Sequence, residues 1–196
     1  MSEQSATLAI EASGDSPSLA LSWSETIFES DMDGQRGKAL VPSIDALLEK
    51  ANCPKGSLGK IIVGVGPGSY TGLRIACSVA RTLSWALGIP VDGACSFEAA
   101  AMETMPGSTV HILIDAYRKE FYHASYRRTE TGTELIQEPR VIQASELEAC
   151  VPDSAILLSD GTPCKTQAET FPLKSKARHL LQVSSVLPPE PLYLRA

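Results

Sequence analysis

Ile61-Ile-Val-Gly64-Val-Gly66-Pro67-Gly68-Ser69-Tyr-Thr71-Gly72-Leu73-Arg74 reads as a short apolar strand, a glycine-rich turn and the start of a helix. A turn of this kind offers backbone N–H groups to an anion at a helix N-terminus. Two known loops can be weighed against it. A phosphate-binding loop of the Walker type ends in Gly-Lys-Ser/Thr, and no lysine stands here. A dinucleotide loop would use Gly64-x-Gly66-x-x-Ser69 with Asp92 as the later acid. That fit is loose, because the third glycine is missing and Pro67 removes a donor where a pyrophosphate would sit. A purely structural turn, letting the helix pack close to the strand, is at least as good a reading.

The helix that follows, from about Leu73 to Leu87, stops at Gly88 and Pro90. At 100° per residue, Ile75, Val79, Leu83, Ala76, Leu87, Ala80, Leu73, Ser84, Cys77 and Ala86 share one arc of roughly 200°, twice the ~100° stripe of a surface helix. Arg74, Ser78, Arg81 and Thr82 form the polar side, with Trp85 among them. Ile75, Val79 and Leu83 are bulky and suit packing on a sheet. Ala76, Ala80 and Ser84, with Cys77, are small and suit close approach of another helix. An arc this wide is completed either within the chain or by a second subunit. The expected neighbour is the helical stripe between Lys38 and Ala51, with Leu40, Ile44, Leu47 and Leu48 on one side.

Working outward, strands are expected at Thr7 to Ala12, Ser18 to Trp23 and Thr26 to Ser30, and Val91 opens another. Ser96 is expected to cap a short helix. The order then restarts. Val110 to Asp115, Phe121 to Tyr126 and Arg140 to Gln143 read as strands, Ser145 as the cap of a short helix, Ala155 to Ser159 as a buried strand, and Lys176 to Ser184 as a last helix. Strand-strand-strand-helix-strand-helix therefore occurs twice, without sequence identity between the halves. Two such lobes facing across a cleft is the organisation of actin-like and sugar-kinase-like ATPases. In that arrangement an acid ends the first strand of each lobe and points into the cleft; here those positions are Glu11 and Asp115.

The net charge of −6 argues against a chain that grips nucleic acid over a broad surface of its own, since that requires a basic face. No apolar run approaches the ~20 residues that span a bilayer, and the first residues lack a basic leader, so a soluble cytoplasmic protein is expected. Cys53, Cys77, Cys95, Cys150 and Cys164 are scattered and read as reduced thiols. His111, His123 and His179 read as isolated structural residues. No metal site is expected, and no nucleophile–base pair is visible.

With these segments placed, the chain resembles the TsaB (YeaZ) family. Gly64 to Arg74 matches its G-x-G-P-G-S-[FY]-T-G-L-R signature, which is highly specific. Gly88-Ile-Pro-Val and Cys95-Ser-Phe-Glu-Ala-Ala follow as in the family. Ile114-Asp-Ala-Tyr-Arg-Lys-Glu-Phe-Tyr122, Ser159-Asp160-Gly161 and Pro191-Leu-Tyr-Leu-Arg195 resemble its later motifs. The resemblance runs along nearly the whole chain, strongest from Ile61 to Ala101. It implies an α/β, actin-like (ASKHA, ribonuclease H-like) two-lobed fold with a reduced second lobe, divided into residues 1–104 and 105–196.

The resemblance also implies a non-catalytic protein that pairs with TsaD. That enzyme transfers a threonylcarbamoyl group to adenosine 37 of tRNAs reading A-starting codons, and an ATPase, TsaE, joins the pair. A homodimer alone, tRNA contact only through the partner, and no cofactor beyond weak or complex-dependent ATP/ADP are implied too. The pairing helices map to Leu40, Ile44, Leu47, Leu48, Leu73, Arg74, Ala76, Cys77, Ala80, Arg81 and Ser84. The degenerate nucleotide cleft maps to Glu11, Ser13, Asp115, Asp160 and Gly161. Several positions depart from the pattern. Glu11-Ala12-Ser13 replaces Asp-Thr-Ser, Gly37-Lys38 replaces His-Ser, and Tyr117 replaces Arg. Ala12 lacks the hydroxyl that would contact a phosphate, so nucleotide chemistry is where the resemblance is thinnest. An active actin-like ATPase or sugar-kinase-like enzyme and an NAD-binding Rossmann protein are the alternatives.

Overall fold

The computed structural model describes residues 5–32 and 39–194. Gly37, Lys38 and Arg195, used above, lie outside the described residues. Residues 6 to 11, Ala-Thr-Leu-Ala-Ile-Glu, form β1 (Ala6–Glu11). It pairs antiparallel with β2 (Ser18–Trp23), and β2 with β3 (Thr26–Asp31). On its other side β1 pairs parallel with β4 (Leu58–Gly64), and β4 with β5 (Val91–Ala94). The sheet order is β3-β2-β1-β4-β5. Parallel pairs need crossover connections. These are α1 (Leu40–Lys50), between β3 and β4, and α2 (Tyr70–Leu87), between β4 and β5.

Alternation along the strands gives the sheet two different faces. Leu8, Ile10, Leu19, Leu21, Ile61 and Val63 point to one and pack with α1 and α2. Ala9, Ala20 and Ala94 point to the other, where small side chains let α3 (Ser96–Ala101) and α5 (Ala177–Leu180) approach. All six residues of α3 are buried. The helix lies between the lobes, with Ala99 in the first lobe's core and Phe97, Ala100 and Ala101 in that of the second. Ser96 does not cap it. The cap residue is Cys95, without a side-chain bond, while the Ser96 hydroxyl accepts from the Gly66 N–H at 3.1 Å.

The second sheet repeats the first. β6 (Thr109–Asp115), β7 (Glu120–Arg128), β8 (Thr133–Gln143), β9 (Ile156–Ser159) and β10 (Glu169–Pro172) run in the order β10-β9-β6-β7-β8, with the same parallel and antiparallel pairs. This is the actin-like two-lobed α/β fold, with its second lobe reduced. A 3-10 turn and the four-residue α4 (Leu147–Cys150) join β8 to β9, and no helix joins β9 to β10. Ser145 is not the cap of α4; it sits in a 3-10 turn, where the Glu146 carboxylate accepts from the Gln143 N–H at 2.7 Å.

The last helix is shorter than expected and belongs elsewhere. α5 packs on β1 and β2 of the first sheet. Beyond it, Leu187 and Gly93 exchange backbone bonds of 2.9 and 2.8 Å, and the Leu192 N–H donates to the Val65 carbonyl at 2.8 Å. A boundary that gives all of 105–196 to the second lobe therefore misplaces this segment, because its apolar residues complete the first lobe's core.

Candidate functional site: the interlobe cleft and the outer face of helix α2

A cleft of about 790 Å³ lies between the lobes. Its walls are the turn after β1 (Ser13, Gly14, Asp15), the glycine loop (Pro67 to Thr71), the ends of β6 and β9 (Asp115, Asp160) and the segment from Pro172 to Lys176. The glycine loop sits above the end of β1, and its glycines allow close approach to this chain's own backbone. A Cβ on Gly68 would collide with the Ser13 carbonyl, and one on Gly72 with the Ala12 carbonyl. The Ser69 N–H donates to the Ser13 carbonyl at 2.7 Å, and the Ser69 hydroxyl caps α2 by accepting from the Gly72 N–H. Helix α2 therefore begins at Tyr70, three residues earlier than the sequence suggests.

Glu11 does not point into the cleft. It is 1 % exposed and lies beneath the loop, where Gly64 leaves room for its carboxylate. One oxygen accepts from the Ser13 N–H at 2.7 Å and the other from the Ser175 hydroxyl at 2.9 Å. Lengthening Asp to Glu carries the carboxylate to Ser175 on the returning C-terminal segment. Asp115 and Asp160 do line the cleft, at its rim. Asp115 Oδ1 accepts from the Tyr117 N–H (2.8 Å), and Asp160 Oδ1 from the N–H and hydroxyl of Thr162 (3.1 and 2.6 Å). Asp160 Oδ2 accepts from the Asp115 N–H at 3.1 Å. Gly161, at φ +91°, supplies the turn between them and the Thr162 contact.

The second surface is on α2. Leu73, Ala76, Cys77 and Ala80 are buried in the first lobe's core, as are Leu40, Ile44, Leu47 and Leu48 of α1. The small flank thus faces this chain's own sheet rather than a partner, a correction to the expected docking face. Ser84 is half-buried, with its hydroxyl donating to the Ile89 carbonyl at 2.6 Å. Arg74 and Arg81 remain exposed. They lie with Tyr70, Ser78, Thr82 and Trp85 along an open groove of about 820 Å³, closed on its other side by Pro191 and Tyr193. Trp85 is 86 % exposed. The sequence held a sign of this face, an indole standing among polar residues; the share of Pro191 and Tyr193 had none, because they reach α2 only through the return of the chain. Cys77, at the edge of the groove, is no nucleophile at neutral pH. Burial first, and then the Glu11 carboxylate, push its thiol up to about 11.

A family model described as "TsaD: tRNA N6-adenosine threonylcarbamoyltransferase" matches residues 35–179. The chain is 31% identical over 156 residues to the tRNA threonylcarbamoyladenosine biosynthesis protein TsaB of Bacillus subtilis, covering 78% of this chain and 62% of that protein.

The chain belongs to the TsaB (YeaZ) family.

Its fold is that of YeaZ from Pseudomonas aeruginosa, with a TM-score of 0.83 at 24% identity, covering 97% of this chain and 100% of the other. An uncharacterized protein of Mycobacterium leprae is 41% identical over 88 residues, 45% of this chain and 24% of that protein. The chain spans less than two thirds of the length of these two curated relatives. Among the TsaB family's motifs as they stand here, the glycine signature builds the loop on β1 and the N-terminus of α2, and Pro191 and Tyr193 lie beside that helix.

Proposed function

We propose that this TsaB-family chain is a non-catalytic subunit required for threonylcarbamoylation of adenosine 37 in tRNA. It acts by docking on a TsaD-like enzyme through the outer face of α2. The carrying observation is that face. An indole 86 % exposed on an 18-residue helix, on the same face as Arg74 and Arg81, is the kind of anchor that dominates protein–protein affinity. The names of the curated relatives and of the family model support the reaction to which the pair contributes. The packing of the glycine loop on Ala12 and Ser13, and of Glu11 beneath it, supports a cleft that no longer transfers phosphoryl groups. ATP or ADP binds the lone chain weakly or not at all. A TsaE-like ATPase joins the assembly, the partner holds the tRNA, and the complex works in the cytoplasm. Without its partner the chain dimerises weakly at high concentration through the same face.

The test is Trp85→Glu. The variant should fold, lose binding to the TsaD-like enzyme by isothermal titration, and fail to restore threonylcarbamoyladenosine in the tRNA of a strain lacking the chain. Undiminished binding would overturn the docking face. Sustained ATP hydrolysis by the lone protein, abolished by Asp115→Asn, would overturn the non-catalytic reading.

A further inference from the structure

We propose that residues 190–193 of the C-terminal segment are part of the docking face, and that the groove they form with α2 receives an amphipathic helix bearing a carboxylate. This rests on α2 being the partner face, and it adds to that reading a second wall and an occupant.

The segment is built into place. Leu187 is bridged to Gly93, and the Leu192 N–H donates to the Val65 carbonyl at 2.8 Å. The side chains of Leu187 and Leu192 pack on the first lobe's core. With Leu192 turned inward, Tyr193 turns outward and remains 54 % exposed. Its ring lies 5.6 Å from that of Tyr70, and the Arg74 guanidinium lies 5.2 Å over the opposite partner in this stack, the Tyr70 ring. Arg74 also donates to the Tyr70 hydroxyl at 2.5 Å. Further along, Arg81 meets Glu190 at 3.3 Å across the groove. Two aromatic rings and a guanidinium thus form one end, Trp85 the other, and the small side chain of Ser78 lies between, above the buried Cys77. A low centre between bulky ends is the relief into which a helix ridge seats.

Charge selects the occupant. Among the described residues no carboxylate pairs with Arg74; its partner is the neutral Tyr70. A guanidinium already ordered by stacking loses little freedom when a carboxylate reaches it. A second copy of this chain is a poorer occupant. Antiparallel pairing of two α2 helices centred between Cys77 and Ser78 would set Arg74 of each against Arg81 of the other, whose nearby carboxylate, Glu190, is already engaged at 3.3 Å. A helix with an apolar stripe and an acid opposite Arg74 offers that guanidinium a carboxylate with no prior partner.

Isothermal titration of the full-length chain against the TsaD-like enzyme tests this, with Trp85→Glu as reference. Tyr193→Ala should weaken binding about tenfold, as loss of an interface tyrosine does. Arg74→Glu should weaken it similarly and reduce its salt dependence. Should Tyr193→Ala fold poorly, hydrogen exchange on the unaltered chain serves instead: the amides of residues 190–193 should slow when the enzyme is added. Wild-type affinity for Tyr193→Ala, or unchanged exchange, together with lost binding for Trp85→Glu, would overturn this proposal and leave the α2 reading standing. Undiminished binding by Trp85→Glu as well would overturn both.

Discussion

His111 and His123 meet inside the second lobe, with Nδ1 of the first 3.0 Å from Nε2 of the second and their rings stacked at 5.3 Å. One proton is shared along that bond, so one ring donates and the other accepts. The sequence showed two isolated histidines. Only the antiparallel register, which pairs Leu113 with His123 and His111 with Ser125, makes them diagonal neighbours. Burial, then His111 and Arg140, push His123 down to about 4, and burial lowers His111 too. The unfolded chain binds these protons near 6.5, so it takes up protons that the folded chain refuses. Stability is therefore full above about pH 6.5 and falls as the pH drops towards 4. The loss for His123 alone is on the order of 3 kcal/mol at the acid end of that window. Between pH 7 and 5, where ordinary carboxylates scarcely titrate, the urea midpoint of the wild type should fall. His123→Phe should flatten that dependence; an equal slope in the variant would show that the pair stays neutral for another reason. The cap residues carry a related lesson. A serine before a helix reads as a cap, but Ser96 is drawn instead to the Gly66 N–H, a partner 30 positions away that local sequence cannot name.

Helix α2 shows how far an element can be read. Its existence, its end at Gly88 and its wide apolar arc are all in the sequence, because they follow from local composition and a period of 3.6. Which flank faces what is not, since a helical wheel has no sheet drawn beside it. The small flank lies inward: the glycine loop holds the start of α2 hard against Ala12 and Ser13, and Ala76 and Ala80 are fully buried against the sheet. Burial contrasts two substitutions on this one helix. Ala80 is 0 % exposed, so Ala80→Glu places a carboxylate in the core at a cost of at least about 4 kcal/mol. That is a large part of a typical domain's stability. Trp85→Glu, on the solvent side, should change stability by about 0.5 kcal/mol or less. Thermal melts of both variants decide this, and a folded Ala80→Glu chain would show that the helix can rotate its small flank outward. The strands β8 and β10 were under-read for the opposite reason. Both are exposed sheet edges, and β10 is exposed at every residue, so neither carries the apolar alternation by which β1 and β6 are recognised.

On the scale of the whole molecule, the two lobes are not two folding units. The repeat of order was legible because each half spells its own sheet. The return of the chain was not, because it depends on what the first lobe lacks. Its second face is lined by Ala9, Ala20 and Ala94, which are too small to bury one another and are covered by Ala177 and Leu180 of α5. Two buried carboxylates are satisfied from the same segment. Glu11 accepts from Ser175, while Glu98 accepts from the N–H and hydroxyl of Ser184, both at 3.1 Å, and from the Ser185 N–H at 3.3 Å. A fragment of residues 1–104 keeps the sheet and both long helices yet loses all of this. Each buried carboxylate that loses such donors costs about 1–3 kcal/mol, although Glu11 keeps the Ser13 N–H, and the uncovered alanine face and α3 add exposed apolar surface. Such a fragment should be unfolded or aggregated, and the full chain should unfold in one cooperative transition followed identically by far-ultraviolet and tryptophan signals. Both tryptophans, Trp23 and Trp85, stand in the first lobe, whereas the far-ultraviolet signal reports both lobes. Separate midpoints for the two probes, or a fragment 1–104 that melts cooperatively by itself, would mean that the first lobe is complete without the returning segment.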